Sequence, residues 1–270
     1  MMRSLWTAAS GMISQQTNVD TISNNLANIN TTGYKKESAE FKSLLYQTIQ
    51  GQSYDNNGDL KPSGVQVGLG VRNSAITSQY TQGNLSETGN DYDFAIEGKG
   101  FFQVQAQDGS ISYTRNGSFG LSNGPEGVTL ATTDGNPVLD TKGEPIVIDA
   151  VYDPSDITIN ELGELCYPNA SNVAEPIGIQ MGVAQFNNPG GLQKMSGSLL
   201  KETGASGAAR LESEDAALQK SKISKGFLEG SNVQAVDEIV NLIVAQRAYE
   251  MNSKVITAAD EMLQQANNLR

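Results

Sequence analysis

The sequence predicts an α+β protein in which N- and C-terminal helices form a coiled-coil-like α domain and an antiparallel β-rich body is inserted between them. Three observations predict it. Residues 231–270 contain no Gly and no Pro, although the chain has 28 Gly and 8 Pro. Residues 1–50 contain only Gly11 and Gly33, so the remaining Gly and all 8 Pro fall in residues 51–230, the composition of strands and turns. Within that middle region apolar residues alternate with polar ones between Asp-Gly and Asn-Gly pairs.

At the N-terminus, Leu5, Met12, Val19 and Leu26 recur every seven residues, with Ala8, Gln15, Ile22 and Ile29 three positions after each. This is the heptad pattern of a helix that pairs with another helix. Gln15 interrupts the seam, which fixes register at some cost in stability. Trp6 and Ile13 point off the stripe and call for a second neighbour. The helix is expected to stop near Asn30, because Gly33 is the first residue that takes a left-handed cap cheaply. Asn24, Asn25 and Asn28 are poor helix formers clustered before that end, and in a packed array such amides can hydrogen-bond across an interface. Arg3 precedes an apolar stretch over residues 5–13, but that stretch has no leucine-rich core. Its amphipathic pattern runs on through Ser14-Gln15-Gln16-Thr17-Asn18, so no cleavable signal is read here.

Residues 38–50 place Phe41, Leu44, Leu45 and Ile49 at helical spacing, yet their Phe, Tyr and Thr also suit a strand, and both readings stand. Val65, Val67, Leu69 and Val71 alternate strictly, which predicts one half-buried strand. The alternation continues through Phe94/Ile96, Phe102/Val104/Ala106, Ile111/Tyr113, Phe119/Leu121, Val128/Leu130, Ile146/Ile148, Ile157/Ile159 and Ile177/Ile179/Met181/Val183. Asp108-Gly109, Asn116-Gly117 and Asp134-Gly135 lie between such pairs, as hairpin turns require. Residues 204–225, rich in Ala, Ser and Glu, return the chain to the last helix. The expected organisation is therefore a terminal helical unit of residues 1–33 and 231–270, a connecting segment 34–80, and a β body 81–230.

In the C-terminal segment, Ser231 followed three positions later by Gln234 reads as a capping box. A helix from there to residues 263–266 would be about 50 Å long at ~1.5 Å per residue. Its apolar residues form two stripes. The first is Leu242, Ala245, Tyr249, Ile256, Ala259 and Leu263, broken only by Asn252; the second is Val240, Val244, Ala248, Met251, Val255, Ala258 and Met262. A helix lying on its own domain needs one stripe, so two imply neighbours on two sides. A two-helix hairpin with a wide seam is the alternative. Arg247 and Lys254 flank Glu250 at intrahelical pairing distance, and Arg247 could instead bridge subunits.

Charge and composition narrow the function. Lys+Arg number 18 against 30 Asp+Glu, a net charge of −12, which repels nucleic acid. Residues 1–50 carry 4 basic and 3 acidic side chains and residues 231–270 carry 3 and 5, so 11 and 22 belong to the middle. Near-neutral helical ends and an acidic body suit ends packed on copies of themselves and a body facing water. No run approaches the ~18–20 apolar residues of a membrane span. The chain has no His and one Cys, which excludes Ser-His-Asp and Cys-His catalysis and any His- or Cys-based zinc site. Asp55-Asn56-Asn57-Gly58-Asp59 is only reminiscent of a calcium loop, since its Gly is out of place and no Glu follows at the right distance. Gly68-Leu69-Gly70 and Gly98-Lys99-Gly100 read as turns or close backbone approaches rather than phosphate loops. Asp91, Asp93, Glu161 and Glu164 are the carboxylates from which a glycosidase pair could be drawn. No cofactor or metal is expected.

Three motifs then carry a resemblance. The first is Asn24-Asn25-Leu26-Ala27-Asn28-Ile29-Asn30-Thr31-Thr32-Gly33-Tyr34-Lys35. The second is Gly98-Lys99-Gly100-Phe101-Phe102-Gln103-Val104 followed by Tyr113-Thr114-Arg115-Asn116-Gly117-Ser118-Phe119. The third is Glu229-Gly230-Ser231-Asn232-Val233 with Gln246-Arg247-Ala248-Tyr249-Glu250-Met251-Asn252-Ser253-Lys254. In this order they resemble the flagellar rod and hook proteins, and they span nearly the whole chain. Met2-Arg3-Ser4-Leu5-Trp6 and the stretch from Phe41 to Pro62-Ser63-Gly64 fit the distal-rod branch of that family best. The resemblance implies a structural subunit of the bacterial flagellar basal body, exported without cleavage. It implies a helical tube of copies whose inner wall is made of terminal helices and which passes torque to the hook. Proximal rod and hook proteins would meet its two ends, and periplasmic and outer ring proteins would surround it. The polymerisation interface is expected to use Leu5, Met12, Val19, Ile22, Asn24, Asn25, Leu26, Asn28 and Ile29 from the first helix. From the last it would use Leu242, Val244, Arg247, Ala248, Tyr249, Met251, Val255, Ile256, Met262 and Leu263. A hook or proximal-rod subunit is the nearest alternative, and a periplasmic peptidoglycan hydrolase is the alternative from another class.

Overall fold

A computed structural model describes residues 2–51, 64–124, 127–148, 157–169, 173–215 and 217–268. It has the expected α+β organisation, and the chain divides into two compact units, one holding the helices and one holding most of the strands.

The helical unit comprises Met1–Ala27, Glu37–Ser78 and Gln234–Arg270. Its elements are α1 (Met2–Ala27), β1 (Glu37–Ser43), β2 (Tyr46–Gln50), β3 (Val65–Gly68), β4 (Val71–Ser78) and α2 (Ala235–Asn268). Helices α1 and α2 run antiparallel. Gly11 near the start of α1 faces Asn252 in the second half of α2, while Asn25 near the end of α1 bonds Glu238 in the first turn of α2. Residues 37–50, open between helix and strand in the sequence, form strands. β1 pairs antiparallel with β4, with a bulge at Glu40/Phe41, and β2 pairs antiparallel with β3.

Three boundaries differ from expectation. Helix α1 ends at Ala27 rather than near Asn30, and a turn follows in which the Thr31 N–H donates to the Asn28 carbonyl at 3.1 Å. Helix α2 starts at Ala235, so Ser231 and Gln234 do not form a capping box. The Ser231 hydroxyl accepts from the Val233 N–H at 3.2 Å, and the Gln234 carbonyl accepts the first helical bond, from Glu238 at 3.1 Å. Acidic Asp237 and Glu238 occupy the first turn, where the helix dipole favours them. Finally, residues 65–71 are not one half-buried strand. β3 and β4 are separated by Leu69 and Gly70, and Val65 and Leu69 are exposed. Gly70 adopts φ +115° and a Cβ there would lie 2.2 Å from Ser10 Oγ, so the break is set by contact with α1.

The β unit comprises Asn28–Lys36 and Gln79–Val233. Its strands are β5 (Leu85–Glu87), β6 (Phe94–Glu97), β7 (Phe101–Gln105), β8 (Ile111–Thr114), β9 (Phe119–Gly124), β10 (Gly127–Thr132), β11 (Val147–Ile148) and β12 (Thr158–Ile159), then β13 (Glu164–Pro168), β14 (Ala174–Gln180), β15 (Val183–Gln185), β16 (Gln193–Lys194), β17 (Leu200–Lys201), β18 (Arg210–Leu211), β19 (Lys222–Lys225) and β20 (Phe227–Glu229). All named pairings are antiparallel. The largest sheet has the order β16-β17-β8-β7-β15-β18, beside β11-β10-β9, β12-β13-β14, β19-β6 and β20-β5. Strand β7 is buried on both faces. Phe102 and Val104 enter a core with Phe94, Phe119, Val138 and Ile146, while Phe101 enters a second cluster with Tyr113, Ala184 and Leu200. Edge-on ring contacts, Phe102 to Phe119 at 5.2 Å and Tyr113 to Phe186 at 4.8 Å, join the rings.

Asp108-Gly109 closes the β7–β8 hairpin, with Gly109 at φ +78°. Asp134-Gly135 makes a tight turn, with Gly135 at φ +82°. Asn116-Gly117 does not make a hairpin: β8 pairs with β7 and β17, whereas β9 pairs with β10. The chain crosses there between sheets. Gly117 is required because a Cβ would fall 1.7 Å from the Phe94 carbonyl oxygen, and the Phe94 N–H donates to the Gly117 carbonyl at 3.0 Å.

Candidate polymerisation surface

In the seam between α1 and α2 small residues set the spacing. Ala8, Ala245 and Ala259 are buried, and an added Cβ at Gly11 would lie 2.9 Å from Asn252 Nδ2. The break that Asn252 makes in the first stripe of α2 is therefore matched by the Gly in α1. Ser14 and Thr21 are buried too, but on the face of α1 turned to β4, where Ser10 accepts the Val71 N–H at 3.3 Å and Thr17 accepts from Asn73 at 2.6 Å. Leu5, Met12, Val19 and Leu26 are half-buried, as are Leu242, Ile256 and Leu263. Gln16 and Val19 line a groove of about 380 Å³ with Gln246, Tyr249 and Glu250.

Asn25 is 1% exposed and is consumed inside the chain. Its Oδ1 accepts the Glu37 N–H at 2.8 Å, and its Nδ2 donates to the Glu37 carbonyl at 2.8 Å and to Glu238 Oε2 at 3.0 Å. The amide pairs with main chain as a neighbouring strand would, which accounts for a poor helix former at this place. Asn24 lies on the exposed side of α1, and Asn28 and Ile29 are half-buried in the turn after it.

The second stripe of α2 stays open. Val240, Val244, Met251, Val255 and Met262 are 54%, 61%, 61%, 46% and 51% exposed, with Ala258 exposed among them and Ala248 half-buried. Their spacing of four and then seven residues keeps them on one face over most of the helix. On α1, Trp6 and Ile13, one heptad apart, are 73% and 64% exposed. Arg247, Glu250 and Lys254 lie along α2 without an ion pair among themselves, since an exposed intrahelical pair gains too little to hold long side chains.

In the β unit the structure brings together charged residues that sequence reasoning missed. Lys35 Nζ lies 2.5 Å from Glu229 Oε1 and Arg115 Nη1 lies 3.3 Å from Glu229 Oε2, all three side chains being almost wholly buried. Each comes from a different one of the three sequence motifs. The Arg115 guanidinium also stacks on Phe101, 5.3 Å from the ring centre. Burial lowers the pKa of Lys35, with Glu229 opposing, and burial likewise lowers that of Arg115. The shared membership in the motifs was the one signal of this cluster.

The candidate carboxylates for glycosidic chemistry are engaged one by one. Asp91 pairs with Lys225 and Glu161 with Lys222, each at 3.0 Å, Asp93 accepts from Thr88 at 2.6 Å, and Glu164 accepts from Asn160 at 2.8 Å. Gly98 and Gly100 are close approaches: Cβ atoms there would lie 2.5 Å from Ser221 Oγ and 2.3 Å from Val183 Cγ1. The Asp55–Asp59 stretch lies outside the described residues. No helix among the described residues is long and apolar enough to cross a membrane.

Comparison with known proteins agrees with this architecture. Residues 5–35 match the family described as flagella basal body rod protein, residues 95–167 match the flagellar hook protein FlgE/F/G D1 domain, and residues 224–269 match the flagellar basal body rod FlgEFG protein C-terminal family. The chain is 47% identical over 265 residues to the flagellar basal-body rod protein FlgG of Agrobacterium fabrum, covering 97% of each. It is 43% identical to FlgG of Borreliella burgdorferi, covering 100% of this chain and 99% of that one. With FlgG of Bacillus subtilis the identity is 37%, and the whole of both chains is covered. Helical ends that match the rod families, a body that matches the D1 domain between them, and full-length identity to rod proteins together make this chain a member of the flagellar basal-body rod protein family.

Proposed function

We propose that this protein is a subunit of the distal rod, polymerising through its terminal helices into a helical tube that passes motor torque to the hook. One observation carries the reading: α1 covers one apolar stripe of α2, and the other stripe remains bare along the helix. Burying a fully exposed Val or Met contributes about 1.5–3 kcal/mol, so these side chains, about half exposed, would each contribute roughly half of that. A row of five such residues gives a second copy reason to lie against this face. The surface comprises Val244, Met251, Val255 and Met262, flanked by Ala248, Tyr249 and Arg247, with the half-buried Leu242, Ile256 and Leu263 at its border. From the N-terminal side it takes Leu5, Met12, Val19, Asn24, Leu26, Asn28 and Ile29, whereas Ile22 and Asn25, both buried, act within the protomer. Arg247, lacking a partner along its own helix, pairs across copies.

Proximal rod and hook proteins would meet the tube at its two ends and ring proteins would surround it, a reading that family membership supports. The role is mechanical rather than catalytic. The test is V244D/M251D in the full-length chain. Helix content by circular dichroism should stay unchanged, while tube formation at high concentration and rescue of motility in cells lacking their own distal rod subunit should both be lost. Normal assembly by this variant would overturn the proposal.

A further inference from the structure

Every covalent connection between the two units runs through residues 28–36, the 78–79 junction or the 233–234 junction. Inside the β unit, side chains tie these passages together in two layers. In the outer layer Asn232 Nδ2 donates to the Gln79 carbonyl at 2.8 Å and to Thr81 Oγ1 at 2.8 Å, and its Oδ1 accepts the Lys36 N–H at 2.7 Å. The Lys36 carbonyl in turn accepts the Gln79 N–H at 2.8 Å. In the inner layer Lys35 Nζ donates to the Thr81 carbonyl at 2.8 Å and to Glu229 Oε1. Glu229 Oε1 also accepts the Gly83 N–H at 2.8 Å, and the Gly33 N–H donates to the Glu229 carbonyl at 2.8 Å.

We propose that Glu229 and Asn232 are positioning residues of a latch that makes the three passages open and close as one cooperative unit, separate from the β core. The chemistry supports cooperativity. Two buried cations share one carboxylate, and a guanidinium cannot lose its proton, so removing the anion leaves uncompensated charge under all three passages at once. The Asn232 amide satisfies main-chain groups on two passages from the third, so no passage can leave alone without breaking bonds held by the others. The latch is polar, and neither Glu229 nor Asn232 belongs to the apolar clusters around β7. Its loss therefore removes little apolar burial from the core.

Hydrogen exchange with mass spectrometry on the full chain tests this in wild type, Glu229→Gln and Asn232→Ala. In each variant, peptides covering 28–36, 79–84 and 229–233 should exchange roughly 10- to 100-fold faster together, the range expected for losing buried hydrogen bonds. Peptides covering β7 and β8 should keep wild-type protection. Acceleration confined to the substituted passage would overturn the proposal, as would equal acceleration of β7 and β8. If Glu229→Gln does not fold, Asn232→Ala changes no charge and decides the matter by the same outcomes.

Discussion

At Gly33 the backbone takes φ +69°, and an added Cβ would lie 2.7 Å from the Arg115 carbonyl carbon and the Asn116 nitrogen. Neither atom can move without disturbing the crossover that carries Arg115 to Glu229. Gly33→Ala should therefore lower stability by about 2–4 kcal/mol, combining left-handed strain with overpacking. An unchanged melting temperature would contradict this. Tyr113 offers a pH test. Burial, with Glu202 adding to it, pushes its phenol up to about 12 from an ordinary value of 10.0. Between those values the unfolded chain loses a proton that the folded chain keeps, so stability falls as pH rises through that window. Lys35 acts with the opposite sign: its folded pKa lies below 10.5, so its contribution rises as pH approaches 10.5. Tyr113→Phe leaves Lys35 in place, so denaturant titrations above pH 10 should show a shallower loss of stability in this variant than in wild type. Equal slopes would mean the phenol ionises alike in both states.

Helix α2 shows what period alone can and cannot reveal. Both stripes were legible, because 3.6 residues per turn places each residue on a face whatever it touches. Which stripe meets α1 was not legible, since that choice depends on Gly11 making room for Asn252. Gly11→Leu should drive the helices apart and cost about 1–3 kcal/mol, with Asn252→Ala recovering part of the loss. Thermal unfolding of the two single variants and the double variant measures this, and strict additivity would show that the two residues do not meet. The strands were legible where alternation met the core, as at Phe102 and Val104. Alternation failed from Val65 to Val71 because Ser10 on α1 imposes the break at Gly70, a contact 60 residues away that no local pattern contains. The turn signal failed at Asn116-Gly117, where a hairpin dipeptide serves a crossing between sheets. Lys35 and Glu229 stand 194 positions apart, and in sequence each looks like an ordinary solvated charge.

Over the whole molecule, the net charge of −12 sits almost entirely on residues 51–230, while the helical ends are close to neutral. Assembly through the bare stripe of α2 is apolar and gains little from salt, but bringing acidic bodies together in an array costs repulsion that salt screens. The screening length falls from about 30 Å at 0.01 M to about 8 Å at 0.15 M ionic strength. The concentration at which the full-length chain begins to form tubes should therefore fall, by roughly 10-fold or more, as sodium chloride is raised across that range. Sedimentation of assembled material against protein concentration at each salt measures it. A requirement that instead rises with salt would assign the dominant contact to complementary ion pairs such as those open to Arg247, and would move the interface away from the apolar face of α2.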